Sequence, residues 1–259
     1  MTEAAAAVAW RLGADRVESA RDRQHAATLG LTPINDVPAL GFYIERDDDG
    51  LVLRHAADPA GTGLRCALAD TTELADRQAG GRRSPLARAF GLHRHAPMRV
   101  LDTTAGLARD AATLASLGCD VTAIERQPAL YALIEDATQR IHATPEQRPV
   151  WWSHWQWPVH ADAADWLSAD AGQKAFDAIY IDPMFASPRR KSAPQKALAW
   201  LAELAGTDED APALLEIARA HARRRVVVKQ HARAEPMAPP DLQIRGRAIR
   251  FDIYLTPRA

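Results

Sequence analysis

Four predicted strands of this chain end in an acid, and no other feature limits its fold so tightly. The apolar run Met98–Leu101 leads into Asp102, Val121–Ile124 into Glu125, Trp157–Ala161 into Asp162, and Phe176–Ile181 into Asp182. Helical stretches fall between them: Ala111–Leu117, closed by Gly118 where a helix favours glycine, then Pro128–His142 and Ala163–Leu167. Two more helices are expected over Ala193–Leu204 and Ala211–Ala222. A fifth apolar run, Arg225–Lys229, and an alternating one, Ala248–Leu255, complete the series. Strands alternating with helices predict an α/β fold with a doubly wound, mostly parallel sheet, whose ligand binds outside the carboxyl ends of the strands. One aspartate at a strand end is commonly a helix cap. Four acids at four equivalent ends point instead to a ligand site.

The segment Asp102–Asp110, Asp-Thr-Thr-Ala-Gly-Leu-Ala-Arg-Asp, is the entry to that site. A strand that turns at a glycine into a helix aims the first free N–H groups of the helix at a ligand, and Gly106 allows close backbone approach. The acids suit an adenosyl ligand with a charged tail. Glu125 stands where a carboxylate accepts both ribose hydroxyls, and Asp162 is placed to accept from an adenine amino group. Asp102 offers counter-charge to a sulfonium, Arg109 a two-pronged partner for a tail carboxylate, and Asp110 a partner for a tail ammonium. Asp182-Pro183-Met184-Phe185 has the form Asp/Asn-Pro-x-aromatic at a strand end, a pattern associated with methyl transfer to an exocyclic amine. Such an amine delocalises its lone pair into the ring. Hydrogen bonds from its N–H groups to Asp182 and to the Pro183 carbonyl localise the pair, while Phe185 stacks on the base.

Residues 1–90 read differently, as a smaller α+β region ahead of a main domain at 91–259. Gly41–Glu45 and Leu51–Arg54 flank an Asp-Gly tip, a hairpin signal. Ser84-Pro85 starts a helix through Phe90, with serine as cap and proline at the first helical position. The alanine-rich start, Met1 to Arg11, reads as the beginning of a helix and lacks the basic segment of a signal peptide. Four of the seven tryptophans lie in Val150–Trp157. Such rings can stack on bases, but without interleaved basic residues the pattern favours packing. His93 and His95 have no further ligand at metal spacing, and no metal is expected.

A formal net charge of -1 leaves no overall pull toward nucleic acid, so any basic RNA-facing surface must be local. Arg82-Arg83 and Arg189-Arg190-Lys191 are the candidates, with Arg223–Arg225 weaker because basic residues also suit a helix end. Two separated cysteines, Cys66 and Cys119, imply a reducing compartment. No run approaches the ~20 apolar residues of a membrane helix, which predicts a soluble, cytoplasmic chain.

Taken together these motifs resemble the RsmJ (YhiQ) family, bacterial methyltransferases that act on a guanine N2 of small-subunit ribosomal RNA. The resemblance rests on Asp102–Asp110, Ala115–Cys119, Glu125-Arg126, Tyr180–Phe185, Lys191–Ala193, Val226–Lys229 and Arg250–Tyr254. It covers about Gly80 to Tyr254 well and the first 80 residues loosely. It implies a Rossmann-like class I methyltransferase fold, S-adenosyl-L-methionine as cofactor, and 16S ribosomal RNA or the small subunit as partner. It also implies cofactor contacts at Arg109-Asp110, Glu125-Arg126, Asp162-Ala163 and Asp182. The chain departs from the family at three places. Ala108 replaces a second glycine, Asp162-Ala163 replaces two serines, and Gln230 replaces an arginine that would be a phosphate contact. A nicotinamide oxidoreductase on the same sheet would need Gly-x-Gly-x-x-Gly, which is missing. The alternative from another class is a non-catalytic RNA-binding or ribosome-assembly factor on a methyltransferase-like core.

Overall fold

The computed structural model describes residues 8–13, 16–68, 80–169, 175–183, 199–201, 203–204, 206 and 209–256. Met184, Phe185, Arg189, Arg190, Lys191 and most of the helix expected over 193–204 lie outside them.

Two sheets organise the chain. The larger has seven strands: β5 (Arg99–Asp102), β6 (Asp120–Glu125), β7 (Val159–His160), β8 (Ala178–Ile181), β9 (Arg225–His231), β10 (Leu242–Arg245) and β11 (Ile249–Leu255). Their spatial order is β10-β11-β9-β8-β5-β6-β7, with β5 through β9 mutually parallel and β11 antiparallel to both β9 and β10. The chain runs outward from β5 to β7, then crosses back to lay β8 on the other side of β5. The switch point therefore lies between Asp102 and Asp182, where a doubly wound sheet opens a crevice.

Alternation along these strands divides the core. Leu101, Ile124, Ile179, Ile181, Val226 and Val228 pack on one face with Leu167 and Leu215, from helices that follow β7 and precede β9 (Ala163–Ala169, Ala211–His221). Val100, Ala123, Tyr180 and Val227 face the other side, under the helices Arg109–Ser116 and Pro128–Ala143. The latter bears a stripe of buried Leu130, Leu133, Ile134, Ala137 and Ile141, and Gln127 caps its start by accepting from the N–H groups of Ala129 and Leu130. The short helix Pro85–Ala89 has the expected serine cap, Ser84 accepting from the Ala87 N–H, and packs against β10 and β11.

The smaller sheet has the order β2-β1-β3-β4, from β1 (Val8–Arg11), β2 (Thr32–Ile34), β3 (Phe42–Asp47) and β4 (Gly50–His55). β3 and β4 form the expected hairpin, and Gly50 supplies the positive φ its turn needs. The expected helix start at the N-terminus is corrected: Val8–Arg11 is a strand, parallel to both β2 and β3. Its alternation buries Val8 and Trp10, and sheet pairing overrides alanine's helix preference. A mostly polar helix, Arg16–Thr28, was not expected at all. Its buried Asp22 and the buried Asp136 of the helix Pro128–Ala143 both receive the Arg46 guanidinium. Asp136 also accepts from the Leu51 N–H at 3.1 Å, so the hairpin is clamped to the large sheet's own helix.

Two other readings change. The strand expected over Trp157–Ala161 shrinks to Val159–His160. The tryptophan run is a 3₁₀ turn over Val150–His154, with Trp151 and Trp155 buried edge-to-face and the Trp155 indole N–H donating to Thr138. Trp157 remains 47% exposed, against His142. No described helix is long and apolar enough to cross a membrane.

Candidate functional site

A cavity of about 400 Å³ opens at the carboxyl edge of the large sheet. Its floor is Asp102–Leu107, its sides are Glu125-Arg126 and Asp162–Ala164, and Asp182-Pro183 and Lys229 lie across from them. All four acids line it, as does the Arg109-Asp110 start of the helix Arg109–Ser116.

Local hydrogen bonds fix this rim. The Thr103 N–H and hydroxyl both donate to the Tyr180 carbonyl, at 3.0 and 2.7 Å, and the Asp182 N–H donates to the Thr104 hydroxyl at 2.7 Å. The glycine loop and the Asp-Pro turn are thereby stitched together across the switch point. Glu125 is only 6% exposed, and its carboxylate accepts from the Gly106 and Gln127 N–H groups, each at 2.7 Å. It braces the loop as well as facing the cavity. Asp162 uses Oδ1 to cap the helix Ala163–Ala169, accepting from the Ala164 and Asp165 N–H groups. Its Oδ2 lies 3.8 Å from Arg126, whose guanidinium binds Asp210 at 2.6 Å over the cavity.

The electrostatics are dominated by converging carboxylates. Asp102 is 2% exposed, and burial pushes its carboxyl well above the usual carboxylate range, with Asp110, Asp182 and Glu125 adding like-charge repulsion. Lys229 answers this charge. Its ammonium lies 2.8 Å from Asp110 Oδ2 and 2.8 Å from Asp182 Oδ2, and Asp110 also accepts from the Tyr180 hydroxyl at 2.6 Å. Burial works against the Lys229 charge, but the two facing carboxylates outweigh it and hold the ammonium above its usual range. Tyr180 is pushed up by burial and then by Asp110 and Asp182. Asp110 is thus part of a partly buried polar network and not an isolated surface charge on a first helical turn.

Sequence reasoning missed Lys229, Tyr180, Thr104 and Asp210. A signal existed for Lys229, a lone cation at the carboxyl end of an apolar strand. Other expectations move away from the site. Arg82 donates to the Leu92 and His95 carbonyls, which precede the amino end of β5, so Arg82-Arg83 sit at the edge opposite the cavity. Arg223–Arg225 lie at that same edge, their N–H groups on the Phe176 and Asp177 carbonyls. Gln230 is buried and accepts from Arg250, which is itself held by Asp252. The position points into the sheet's own packing, not toward a phosphate.

Ala108 is the one described non-glycine residue with positive φ, at 55°, in the cap position of the helix Arg109–Ser116. Its methyl is fully buried and lies outside the cavity lining, so the departure strains the backbone and does not crowd the ligand. Left-handed backbone costs an L-residue ~1–2 kcal/mol. Glycine would remove that strain but lose ~0.8 kcal/mol of methyl burial and ~0.4–1 kcal/mol through the freer unfolded chain. Ala108→Gly is therefore expected to change stability by no more than about 1 kcal/mol in thermal unfolding followed by circular dichroism. Ala108→Val, β-branched and overpacked, is expected to cost about 3 kcal/mol. A glycine variant as damaged as the valine one would contradict this account.

The donor set fits an S-adenosylmethionine molecule. The lining offers carboxylates as acceptors for a ribose diol, an amine and a cationic tail, the Arg109 guanidinium as a donor for a carboxylate, and apolar Leu130, Ala163 and Leu214 for a purine. Among the described residues no group of three or more His, Cys, Asp or Glu is arranged to hold a metal ion.

Comparison with known proteins gives the family. The family model described as a putative SAM-dependent methyltransferase matches residues 29–256. Ribosomal RNA small subunit methyltransferase J of Nitrosococcus oceani is 44% identical over 182 residues, 70% of this chain and 71% of that protein. The protein of the same name from Thioalkalivibrio sulfidiphilus is 38% identical over 246 residues, 92% of this chain and 95% of its own. A crystal structure of a SAM-dependent methyltransferase from Neisseria gonorrhoeae superposes with a TM-score of 0.71 at 28% identity, covering 97% of this chain and 96% of that one. The fold is the Rossmann-like class I methyltransferase fold, and the cofactor is S-adenosylmethionine. The chain belongs to the ribosomal RNA small subunit methyltransferase J family of SAM-dependent methyltransferases.

Proposed function

We propose that this protein methylates the exocyclic N2 of a guanosine in small-subunit (16S) ribosomal RNA, in the cytoplasm. The observation that carries the reading is the Asp182-Pro183 turn, which opens onto the cofactor cavity and is tied to the glycine loop through Thr104. The names of the chain's relatives support the RNA class of the substrate. We assign residues 91–259 to catalysis and residues 1–90 to a region that contributes to substrate contact.

S-adenosylmethionine, when bound, supplies a methyl group activated on a sulfonium. The chain's residues hold and aim. Glu125 accepts from the ribose hydroxyls while bracing Gly106, and Arg126 closes the rim beside it. Asp162 and Ala163 border the adenine, and Arg109 and Asp110 receive the two charges of the tail. Asp102 would lie beside a bound sulfonium, whose positive charge would favour this carboxylate's charged form against burial and the neighbouring acids. Asp182 and the Pro183 carbonyl accept the two amine hydrogens, which turns the nitrogen lone pair toward the methyl. The nitrogen–carbon bond forms as the carbon–sulfur bond breaks, its electron pair staying on sulfur. The resulting ammonium then releases its proton to water, so no side chain of special basicity is required. Phe185 stacks on the guanine, and Arg189, Arg190 and Lys191, which follow it in sequence, supply the phosphate contacts. The base must be unpaired or flipped to reach Asp182.

The test is to measure N2-methylguanosine in small-subunit ribosomal RNA from strains with and without the gene. Loss of the modified nucleoside on deletion, and its return with the gene, is the expected result. Unchanged N2-methylguanosine would leave a non-catalytic RNA-binding or assembly role on this core.

A further inference from the structure

We propose that Lys229 is a positioning residue that bridges the cofactor-side carboxylate of Asp110 to the acceptor-side carboxylate of Asp182 and holds Asp182 charged and aimed at the incoming amine. This rests on the reading of Asp182 given above.

The geometry is specific. Parallel pairing sets Ile181 opposite Val228, so the next residues, Asp182 and Lys229, emerge side by side at the carboxyl edge. The Lys229 side chain is 23% exposed, and its ammonium touches Asp110 Oδ2 and Asp182 Oδ2 at the same 2.8 Å. Gripping one oxygen of Asp182 fixes the plane of the carboxylate. The Thr104 hydroxyl, accepting from the Asp182 N–H, fixes the backbone beneath it.

The surroundings explain why a cation is needed there. Asp102 on β5, Asp110 on the helix Arg109–Ser116, Glu125 on β6 and Asp182 after β8 all bear on one small space, with the Tyr180 hydroxyl among them. Arg109, Arg126, Asp162 and Asp210 also line the cavity. Like charges at this spacing favour protonation of one another. A protonated Asp182 would offer a donor where the amine needs an acceptor. The Lys229 ammonium offsets the repulsion at its two contacts.

The experiment compares wild type, Lys229→Met and Lys229→Arg. In the ligand-free protein, carbon-13 NMR follows the Asp182 carboxyl through its titration. Its midpoint is expected to rise by about one unit or more in K229M and to stay near wild type in K229R. In methyl transfer to small-subunit ribosomal RNA, K229M is expected to lose about tenfold in kcat/KM at neutral pH. The acid limb of its profile should move to higher pH, so that the loss is larger below neutral pH and part of it is recovered as pH rises. K229R should restore most of it. An Asp182 midpoint unmoved in K229M, or a parallel loss at every pH with no rescue by arginine, overturns the role. If K229M is not recovered folded, Lys229→Gln takes its place with the same expected readings. A wild-type enzyme that forms no N2-methylguanosine would defeat the functional reading, while the NMR titration would still decide the bridge.

Discussion

Asp182→Ala is expected to lower methyl transfer to small-subunit ribosomal RNA by about 10³-fold while S-adenosylmethionine affinity falls no more than about tenfold. In the proposed reaction the nucleophile is an exocyclic nitrogen whose lone pair is spread into the guanine ring. The side chain that accepts its hydrogen acts as the nitrogen pyramidalises and takes on positive charge, so its carboxylate is worth more in the transition state than in the bound complex. Alanine removes that acceptor and leaves Lys229 with Asp110 alone of its two partners. Asp182→Asn keeps an oxygen in the same place but carries no charge and loses the ion pair, so a smaller loss of about 30-fold is expected. The order wild type, asparagine, alanine in single-turnover kinetics, with near-constant cofactor affinity in calorimetry, marks a group acting on the amine. Wild-type turnover by the alanine variant would falsify the assignment.

The legible part of this protein is the part encoded locally. Each of β5, β6 and β8 is a short apolar run ending in an acid, and each is read within a few residues of itself. The rim of acids follows, because parallel strands place their carboxyl ends together whatever their order. What each acid does was not equally legible. Asp162 spends one oxygen on a helix cap and Glu125 accepts from two backbone N–H groups, contacts that depend on how the next turn folds. Lys229 depends on register: only the pairing of Ile181 with Val228 brings it to Asp182, and that pairing spans 47 residues of sequence. The N-terminal sheet hid for a similar reason. β1 is parallel to two strands remote from it, and the helix Arg16–Thr28 has too few apolar residues to show a periodicity. β10 is an edge strand with one neighbour, polar at alternate positions and preceded by prolines, which reads as loop. Arg82-Arg83 were expected on the cavity rim and lie at the opposite edge, because charge is visible in a sequence while the end of the sheet it occupies is not. Ala108 lies between these cases. The sequence marks it as discordant, but only its backbone angle shows that the cost is strain and that the buried methyl faces the core.

Glu125→Ala is expected to weaken S-adenosylmethionine binding by about 100-fold, which at ~1.4 kcal/mol per tenfold corresponds to about 2.8 kcal/mol. A hydrogen bond to a charged acceptor is worth ~1.5–3 kcal/mol, and a ribose diol makes two, partly replaced by water in the variant. The same carboxylate accepts from Gly106 and Gln127, so its removal also leaves two backbone donors to find water in a largely buried place. That second effect costs stability of the loop and has to be separated from the first. Glu125→Gln separates them: one amide oxygen remains, but its NH₂ group must face either a backbone N–H or the ligand's hydroxyls. Since hydroxyls can accept as well as donate, the glutamine should recover part of the cofactor affinity, to within about tenfold of wild type, while two backbone N–H groups still share one acceptor. Calorimetry with S-adenosylmethionine and thermal unfolding without it measure the two quantities independently. Affinity unchanged in the alanine variant would remove the ribose from Glu125 and leave it a loop brace only. Affinity lost in proportion to unfolding, with no recovery by glutamine, would say the same. The expected result is a drop in affinity that exceeds what the loss of stability accounts for, because the carboxylate that holds Gly106 in place also lines the cavity, where the proposed ribose contact is made.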